Sequence, residues 1–253
     1  MPTASDDVTI SLSGNPTIQI SSGTQSVNSL TATDPLSISG GSLAVAATST
    51  ISGGLSMTGG SLAASGSGVS LTVTGTITVS GASLYAQAGA SLSFTQLISY
   101  SNPNSYDDTY FEATGAGAVL SLPALASLAP LQSYLHFQAT QGGQVKAPAL
   151  TSIGNPSQQA EYLQVYADGT GSEVDISGLT SLVVSTGSLT VTNQATVLDA
   201  GLTTLNGTSV TLDGTGTLAI SQWTTLTSSS LTITAGSYTF PGLTDIDGSS
   251  LYA

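Results

Sequence analysis

The sequence predicts an all-β protein, a right-handed parallel β-helix, and three observations support this fold class. A Ser-Leu or Ser-Val strand pattern recurs at Ser188, Ser209, Ser230 and Ser250, in steps of 21, 21 and 20 residues. A fixed period in this range is typical of a solenoid. Apolar and polar side chains alternate inside each repeat, with the period of two that a half-buried strand needs. Parallel strands joined by corners almost always cross over with a right hand, which predicts the winding.

The first strand of each coil is marked by an inward leucine or its equivalent. We expect Leu189, Val210 and Leu231 to stack as one interior row. The alignment extends to ten anchors, at Leu43, Leu62, Leu84, Phe111, Leu135, Leu163, Leu189, Val210, Leu231 and Leu251. Their spacings of 19 to 28 residues predict about ten coils, with the longer and less regular ones over about 85–187.

The second and third strands follow in order within each coil. Inward pairs mark the second strand, at Leu120/Leu122, Val145/Ala147, Val174/Ile176, Leu218/Ile220 and Tyr238/Phe240. A Leu-Thr-x-Leu type segment marks the third, starting at Leu125, Leu150, Leu179, Leu202, Trp223 and Leu243. One copy departs, because Val197 and Asp199 would place a carboxylate in the core at a cost of several kcal/mol. We predict a register shift or a bulge there.

Composition predicts one domain over residues 1–253 and excludes two classes of partner. Stacked repeats share one core and therefore form one domain. The chain has no Cys, so it has neither disulfides nor thiolate metal sites. Fourteen acidic residues face a single Lys146 and no Arg, which gives a net charge of −13. Binding to nucleic acid or to an anionic membrane surface needs a basic face, so we expect neither. No apolar run is long enough to insert into a bilayer.

Two stretches resemble repeats of known bacterial proteins. Residues 2–10, PTASDDVTI, look like the opening coil of many secreted bacterial β-helix modules of the pectin-lyase-like kind. Residues 113–125, ATGAGAVLSLPAL, resemble the repeats of giant surface proteins in planctomycetes and similar bacteria. The resemblance covers nearly the whole chain. It implies an extracellular, secreted or surface-attached module of a larger protein, acting as a non-catalytic structural or adhesive rod or as a filament-forming scaffold.

A loop at 99–110 breaks the repeat and is the best candidate for ligand binding. Aromatic rings beside carboxylates are typical of sugar-binding surfaces, and carboxylates with loop carbonyls can hold Ca²⁺. The outward positions of the middle coils beside it are Tyr85, Glu112, His136, Gln138, Gln164 and Tyr166. The alternative function is therefore a carbohydrate-binding module, with glycans or other surface proteins as partners. Its candidate residues are Tyr85, Tyr100, Tyr106, Asp107, Asp108, Tyr110, His136 and Tyr166. The competing interpretation of Asp107-Asp108 is a solvated loop.

An enzyme is not expected, because the residues that polysaccharide-degrading β-helices need are scarce. A lyase needs a basic residue as base and further cations for the uronate carboxylate, whereas the chain offers only Lys146 and His136. A hydrolase needs two or three carboxylates within about 5–10 Å of one another. Asp107-Asp108 is the one adjacent internal pair. The Asp-Gly dipeptides at Asp168 and Asp213 are interpreted as turns and not as calcium repeats.

Two further hypotheses concern the outer surface and the ends. Thr190, Thr211 and Thr232 form an outward threonine ladder of the kind that could bind ice, but charged and aromatic residues interrupt it upstream. Thr is also a common exposed strand residue.

Ser250-Leu251 begins a new repeat without a capping segment. We therefore expect either continuation into more coils or end-to-end self-association.

Overall fold

The computed structural model describes residues 2–154 and 161–253, and the regular elements within these ranges are all β-strands. Met1 and residues 155–160, the latter inside the predicted irregular region, lie outside the described residues. Within the described ranges, 28 strands form three parallel sheets and about eleven coils. The prediction of an all-β parallel solenoid with three strands per coil is confirmed, and the right-handed winding stays a prediction. The described part of the chain contains no helix that could cross a membrane.

The strands are short because each spans one side of a coil and ends at a corner. In chain order they are β1 (Asp7–Ile10), β2 (Ile18–Ile20), β3 (Thr24–Val27), β4 (Ser29–Ala32), β5 (Leu36–Ile38), β6 (Ser42–Val45), β7 (Ser49–Ile51), β8 (Leu55–Met57), β9 (Ser61–Ser65), β10 (Ser70–Val73), β11 (Ile77–Ser80), β12 (Ser83–Gln87), β13 (Ser91–Phe94), β14 (Ser99–Asn102), β15 (Thr109–Thr114), β16 (Val119–Ser121), β17 (Ser127–Leu131), β18 (Leu135–Thr140), β19 (Gln144–Lys146), β20 (Ser152–Ile153), β21 (Tyr162–Asp168), β22 (Glu173–Asp175), β23 (Ser181–Thr192), β24 (Thr196–Leu198), β25 (Thr204–Leu212), β26 (Thr225–Thr227), β27 (Ser230–Ile233) and β28 (Ser250–Tyr252).

Each coil adds one strand to each sheet, so sheet neighbours are three strands apart over most of the chain. Sheet 1 has the order β1-β4-β7-β10-β13-β16-β19-β22-β24, and sheet 2 the order β2-β5-β8-β11-β14-β17-β20. Sheet 3 runs β3-β6-β9-β12-β15-β18-β21-β23-β25-β27-β28, with β26 paired to β25. In the later coils β23 and β25 are long enough to include the segment that forms sheet 2 elsewhere. In those coils one continuous strand therefore joins the third side to the first side of the next coil, and the pairing of β23 with β25 shifts register between Val183 and Gly187.

The interior row of sheet 3 runs through every coil. Leu189, Val210 and Leu231 pair in register and are at most 3% exposed, as predicted. The complete row is Gln25, Leu43, Leu62, Leu84, Phe111, Phe137, Val165, Leu189, Val210, Leu231 and Leu251. The expected ten coils miss the first, because Gln25 occupies its position in the row in place of an apolar residue.

Two of the predicted anchors are wrong by two residues. Leu135 and Leu163 are buried, but they are not the partners of Phe111 and Leu189. Phe137 and Val165 occupy those positions. A shift of two residues leaves every side chain on the same face of a strand, so the alternation of polar and apolar residues cannot detect it. The strands β15, β18 and β21 are also longer than their neighbours, which hides the true register.

The prediction of a register shift or bulge at Asp199 is wrong. Val174 pairs with Val197 and Asp175 with Leu198 without interruption, so the alternation continues to Asp199. Asp199 is consequently inward and 1% exposed. The chain accepts a buried carboxyl at this position and keeps the regular ladder.

Candidate functional site

An aromatic strip lies on the outer face of sheet 3 over the middle coils. It consists of Tyr85, Tyr110, His136, Tyr134 and Tyr162. The rings of Tyr85 and Tyr110 are 6.5 Å apart, and those of Tyr110 and His136 are 4.4 Å apart and 8° from parallel. Tyr134 lies 6.0 Å from His136 and meets Tyr162 edge to face at 5.2 Å. The structure therefore brings three of the predicted site residues together and adds two.

The rings of the strip are engaged with one another. Tyr110 and His136 stack face to face, so the ring face that would contact the apolar side of a sugar is covered at that position. Only 15% of the His136 side chain is exposed. Stacking of this kind stabilises neighbouring rungs of a sheet. The centre of the strip thus presents ring edges to solvent, and free ring faces must be sought beside it.

Asp108 ties the loop before β15 to the next coil. Its Oδ1 accepts hydrogen bonds from Ser133 Oγ at 2.5 Å and from the Tyr134 backbone N–H at 3.2 Å. Its Oδ2 lies 3.5 Å from His136 Nε2. Partial burial opposes ionisation, but these partners outweigh it and lower the pKa of Asp108. Ser133 donates to the carboxylate and not to the imidazole, so this cluster does not activate a serine nucleophile.

The loop between β14 and β15 carries the most exposed ring of the candidate site. Tyr106 is 92% exposed. The buried Asn102 supports the loop, because its Nδ2 donates to the Asp107 carbonyl at 2.9 Å and its Oδ1 accepts from the Asn104 N–H at 3.3 Å. Asn104 also donates to the Asp107 carboxylate. The loop is thus tied at its base and presents Tyr106 together with Asp107 to solvent.

Tyr100 is a correction to the predicted site. It lies on β14 in sheet 2, points inward and is 1% exposed. Its hydroxyl donates to Thr109 Oγ1 at 2.8 Å and lies 3.2 Å from the Ala82 carbonyl. Burial raises the pKa of this phenol. The ring packs edge-on against Phe111 at 4.7 Å, so Tyr100 belongs to the core and cannot contact a ligand.

Tyr166 lies on sheet 3 in a different row from His136. The register places Glu112, Gln138, Tyr166 and Thr190 in one outward row with Tyr85. Tyr166 is 36% exposed, and burial together with the nearby Asp168 raises the pKa of its phenol. The same row continues into the predicted threonine ladder. The ladder is therefore real over three rungs and is interrupted upstream, as expected.

The sequence reasoning missed Tyr134, Tyr162 and a long hydroxyl row on sheet 1. Tyr134 and Tyr162 directly precede Leu135 and Leu163, so the alternation could have placed both on the outer face. The hydroxyl row of sheet 1 comprises Thr9, Thr31, Thr50, Thr72, Ser93 and Ser121. Residues 35–106, which include three of the six members of this row, contain no charged residue.

The structure brings together few groups for metal binding or catalysis. Within the described ranges, no three His, Asp or Glu side chains are close enough to hold a metal ion. Lys146 lies on sheet 1, 3.7 Å from Glu173, whereas His136 lies on sheet 3. Asp213 accepts backbone hydrogen bonds from Asn193, Thr215 and Gly216 at 2.7–3.0 Å. These are the contacts of a carboxylate that closes a turn.

Comparison with family models, with curated proteins and with solved structures found no match to this chain.

Proposed function

We propose that this chain is a non-catalytic structural or adhesive module of an extracellular surface protein. The observation that supports this proposal is the unbroken interior row of sheet 3, which passes through all eleven coils. Eleven rungs at about 4.8 Å each form a rod about 50 Å long. Backbone ladders hold this rod together, and its surface carries few charges. Such a rod spaces or presents whatever is joined to it, with other surface proteins or glycans as partners.

The separation of the ionisable groups supports the non-catalytic part of the proposal. A lyase needs its base and its cations around one substrate carboxylate, whereas Lys146 and His136 lie on different sheets. Asp108 accepts hydrogen bonds from its own fold and has a lowered pKa, which makes it a poor general acid. The positions of these groups fit a scaffold better than an active site.

Two measurements test this proposal. Small-angle scattering extrapolated to zero concentration should give a rod of the stated length with the same profile at low and high salt, because backbone ladders and not ion pairs hold it together. Incubation with a panel of polysaccharides should release no reducing ends and no unsaturated products. A salt-dependent collapse would contradict the rigid rod. Release of products that is lost in Asp108→Asn would contradict the non-catalytic assignment.

A second candidate function is carbohydrate binding by the loop between β14 and β15. The specific observation is Tyr106, whose ring is almost fully exposed beside the Asp107 carboxylate. An exposed ring with an adjacent carboxylate offers both a stacking face and a hydrogen-bond acceptor for sugar hydroxyls. The ring of Tyr166 on the outer face of sheet 3, which is 36% exposed, offers a second face.

A glycan array with paired variants tests this candidate. Tyr106→Ala should reduce binding to any glycan that the native chain retains by about tenfold or more, equivalent to one lost stacking contact. Tyr110→Ala is the matched control, because the ring of Tyr110 is stacked on His136 and should leave glycan binding unchanged. Equal loss in both variants, or no binding with or without Ca²⁺, would leave the scaffold as the function.

A further inference from the structure

Asp199 occupies a position that is apolar in every comparable corner. At six corners between the second and third sides, the backbone carbonyl of an inward residue accepts the N–H of the residue three positions later. The pairs are Leu122/Leu125, Ala147/Leu150, Ile176/Leu179, Asp199/Leu202, Ile220/Trp223 and Phe240/Leu243. Asp199 is the single ionisable side chain among these twelve, and 1% of it is exposed. The carboxyl therefore lies in the stacked core at the level of one coil.

Half of the Asp199 carboxyl is satisfied and half is not. Oδ1 accepts the Ala219 N–H of the following coil at 2.9 Å. Oδ2 has no hydrogen-bond partner among the described residues, and neither does Nε1 of the fully buried Trp223. The Trp223 indole favours the ionised form of this carboxyl, against the larger effect of burial. The two atoms without partners belong to successive coils, because Trp223 occupies the corner position that Leu202 occupies in the coil of Asp199.

The chemistry of these two atoms makes their contact depend on a proton. The indole Nε1–H can only donate. When Oδ2 of Asp199 carries the proton, it is a weaker acceptor and its own O–H finds no acceptor on the indole, so the hydrogen bond from the indole is weak. When the carboxyl is ionised, Oδ2 can accept the indole N–H in a charge-assisted hydrogen bond. Loss of the proton therefore strengthens the hydrogen bond from the indole, but it also leaves a charge on the buried carboxyl.

We propose that Asp199 and Trp223 form a proton-operated contact between two successive coils of the solenoid. In its protonated state the corner is neutral and resembles its apolar equivalents. In its ionised state the carboxylate draws the Trp223 indole towards it, and the stacking of Trp223 on Phe240, 6.0 Å away, changes with it. This contact between Asp199 and Trp223 is separate from the scaffold function and from the candidate glycan site.

The environment sets the pH at which this contact changes. Burial is the largest influence and raises the pKa of Asp199 to about 6, while the Ala219 N–H and the indole oppose the rise. No charged group contributes to the shift. Glu173 and Asp175 flank the inward Val174 on β22 and point outward. The remaining carboxylates of the neighbouring elements, Asp213, Asp245 and Asp247, lie in the corner after β25 and in the exposed last coil.

The single Trp of the chain makes the proposal directly measurable. A ¹⁵N-labelled sample gives one indole N–H cross-peak, whose position reports hydrogen bonding of Trp223. We expect the indole proton to move downfield as the pH rises, with a midpoint at about 6, because the hydrogen bond to Oδ2 forms on ionisation. Asp199→Asn should give a flat titration. Asp175→Asn is the matched control and should keep the midpoint, since that carboxyl points outward on the preceding coil.

Two results would overturn the proposal. One is an indole peak of the native chain that does not move between about pH 4.5 and 7.5, the interval around the pKa. The other is an Asp199→Asn variant that titrates with the native midpoint, which would assign the effect to another group. If Asp199→Asn does not fold, the fluorescence of the single Trp223 decides in the native chain. Its emission should change with a midpoint at about pH 6, and an emission that does not change around this pH would contradict the proposal.

Discussion

Two aspartates in the last third of the chain have pKa values that the fold shifts in opposite directions. At Asp199 burial dominates and raises the pKa to about 6. At Asp213 the slight burial also opposes ionisation, but donors from Asn193, Thr215 and Gly216 outweigh it and lower the pKa to about 2. The stabilisation from Asp213 is therefore present above its unfolded pKa of 3.8 and is lost as the pH falls towards 2.

For Asp199 the pH dependence has the opposite sign. Its folded pKa of about 6 exceeds the unfolded value of 3.8, so its contribution to stability is complete below pH 3.8 and is lost as the pH rises through 6. We predict that Asp199→Asn unfolds with a higher free energy than the native chain at pH 7.5, by about 3 kcal/mol, since the shift is about two pKa units.

Denaturant titrations of both proteins at several pH values check this prediction. The difference should shrink as the pH falls from 6 to below 3.8, where Asp199 becomes protonated in the unfolded state as well as in the folded state. Taking the difference cancels the shared contribution of the other carboxylates. A variant that is less stable than the native chain at pH 7.5 would show that the carboxylate is worth more to the fold than its burial costs.

At the scale of the elements, the repeated threonine of the third side forms a hydrogen bond between adjacent coils. The hydroxyls of Thr203, Thr224 and Thr244 each donate to a backbone carbonyl at the equivalent corner of the preceding coil, at 3.2 Å. Thr151 does the same at 3.3 Å. Each of these carbonyls also accepts the backbone N–H of the same threonine, so the hydroxyl adds a second contact between the two coils. The Leu-Thr-x-Leu pattern therefore combines an inward apolar residue with an outward donor that links adjacent coils.

Glycines at the corners are needed for two separable reasons, and one pair of substitutions separates them. Gly60 and Gly68 have φ of +72° and +73°. A Cβ on Gly60 would lie 1.9 Å from the Gly41 carbonyl oxygen, whereas a Cβ on Gly68 would meet nothing within 4 Å. We predict that Gly68→Ala costs about 1 kcal/mol, from backbone strain alone. Gly60→Ala should cost about 3 kcal/mol or more, because adjacent coils must separate. Denaturant unfolding measures both, and equal costs would contradict the close approach.

The interior row of sheet 3 predicts a strong difference between two neighbouring residues of β27. Leu231 is 3% exposed, and the adjacent Thr232 points outward. Leu231→Asp should lower the free energy of unfolding by about 4 kcal/mol, because it buries an unpaired charge. Thr232→Ser should change it by less than about 0.5 kcal/mol. Thermal melts followed by circular dichroism compare the variants, and similar melting temperatures would refute the inward assignment.

Alternation along the strands was enough to predict the fold and its three sides. It was not enough to fix the register at Leu135 and Leu163, because a two-residue shift preserves the alternation. It also favoured an outward or bulged Asp199, since nothing in a polar–apolar pattern shows that the core can hold a carboxyl. Asp34 and Glu161 are buried as well, at 3% and 6% exposed, so the fold accepts a carboxyl at more than one position.

The candidate site was only partly predictable for a different reason. Tyr85, Tyr110 and His136 are neighbours because the strands are in register, which the repeat indicates. Tyr100 could have been assigned to the core, since it alternates with the outward Ser99 and Ser101 on β14. The contact of Asp108 with Ser133 joins residues 25 positions apart across two coils, and no local pattern specifies it.

At the scale of the whole molecule, the charges are few and nearly all of one sign. Lys146 is already paired with Glu173, and the acidic residues are spread over many coils. No face of the described structure can release counterions from a phosphate backbone. We predict no retention of DNA at physiological salt. Gel-shift titrations check this, and a shift that weakens as salt is added would contradict the charge argument.

The terminal rungs of this chain lead to the last prediction. At one end Leu251 and Tyr252 of β28 are 56% and 59% exposed. At the other end Val8, Ile18 and Ile20 line an apolar hollow of about 340 Å³. The outer edges of β3 and β28 also leave backbone groups without a sheet partner, and such edges pair readily with another chain.

We therefore predict end-to-end association of copies of this chain, with the average mass from light scattering rising as the concentration rises. Leu251→Lys should reduce this rise, because a charge on an edge strand opposes pairing with a second edge. Ile98→Lys is the control, since Ile98 is 64% exposed but lies in a middle coil outside the strands. A constant monomeric mass at every concentration would exclude filament formation and leave the rod to act as a single spacer.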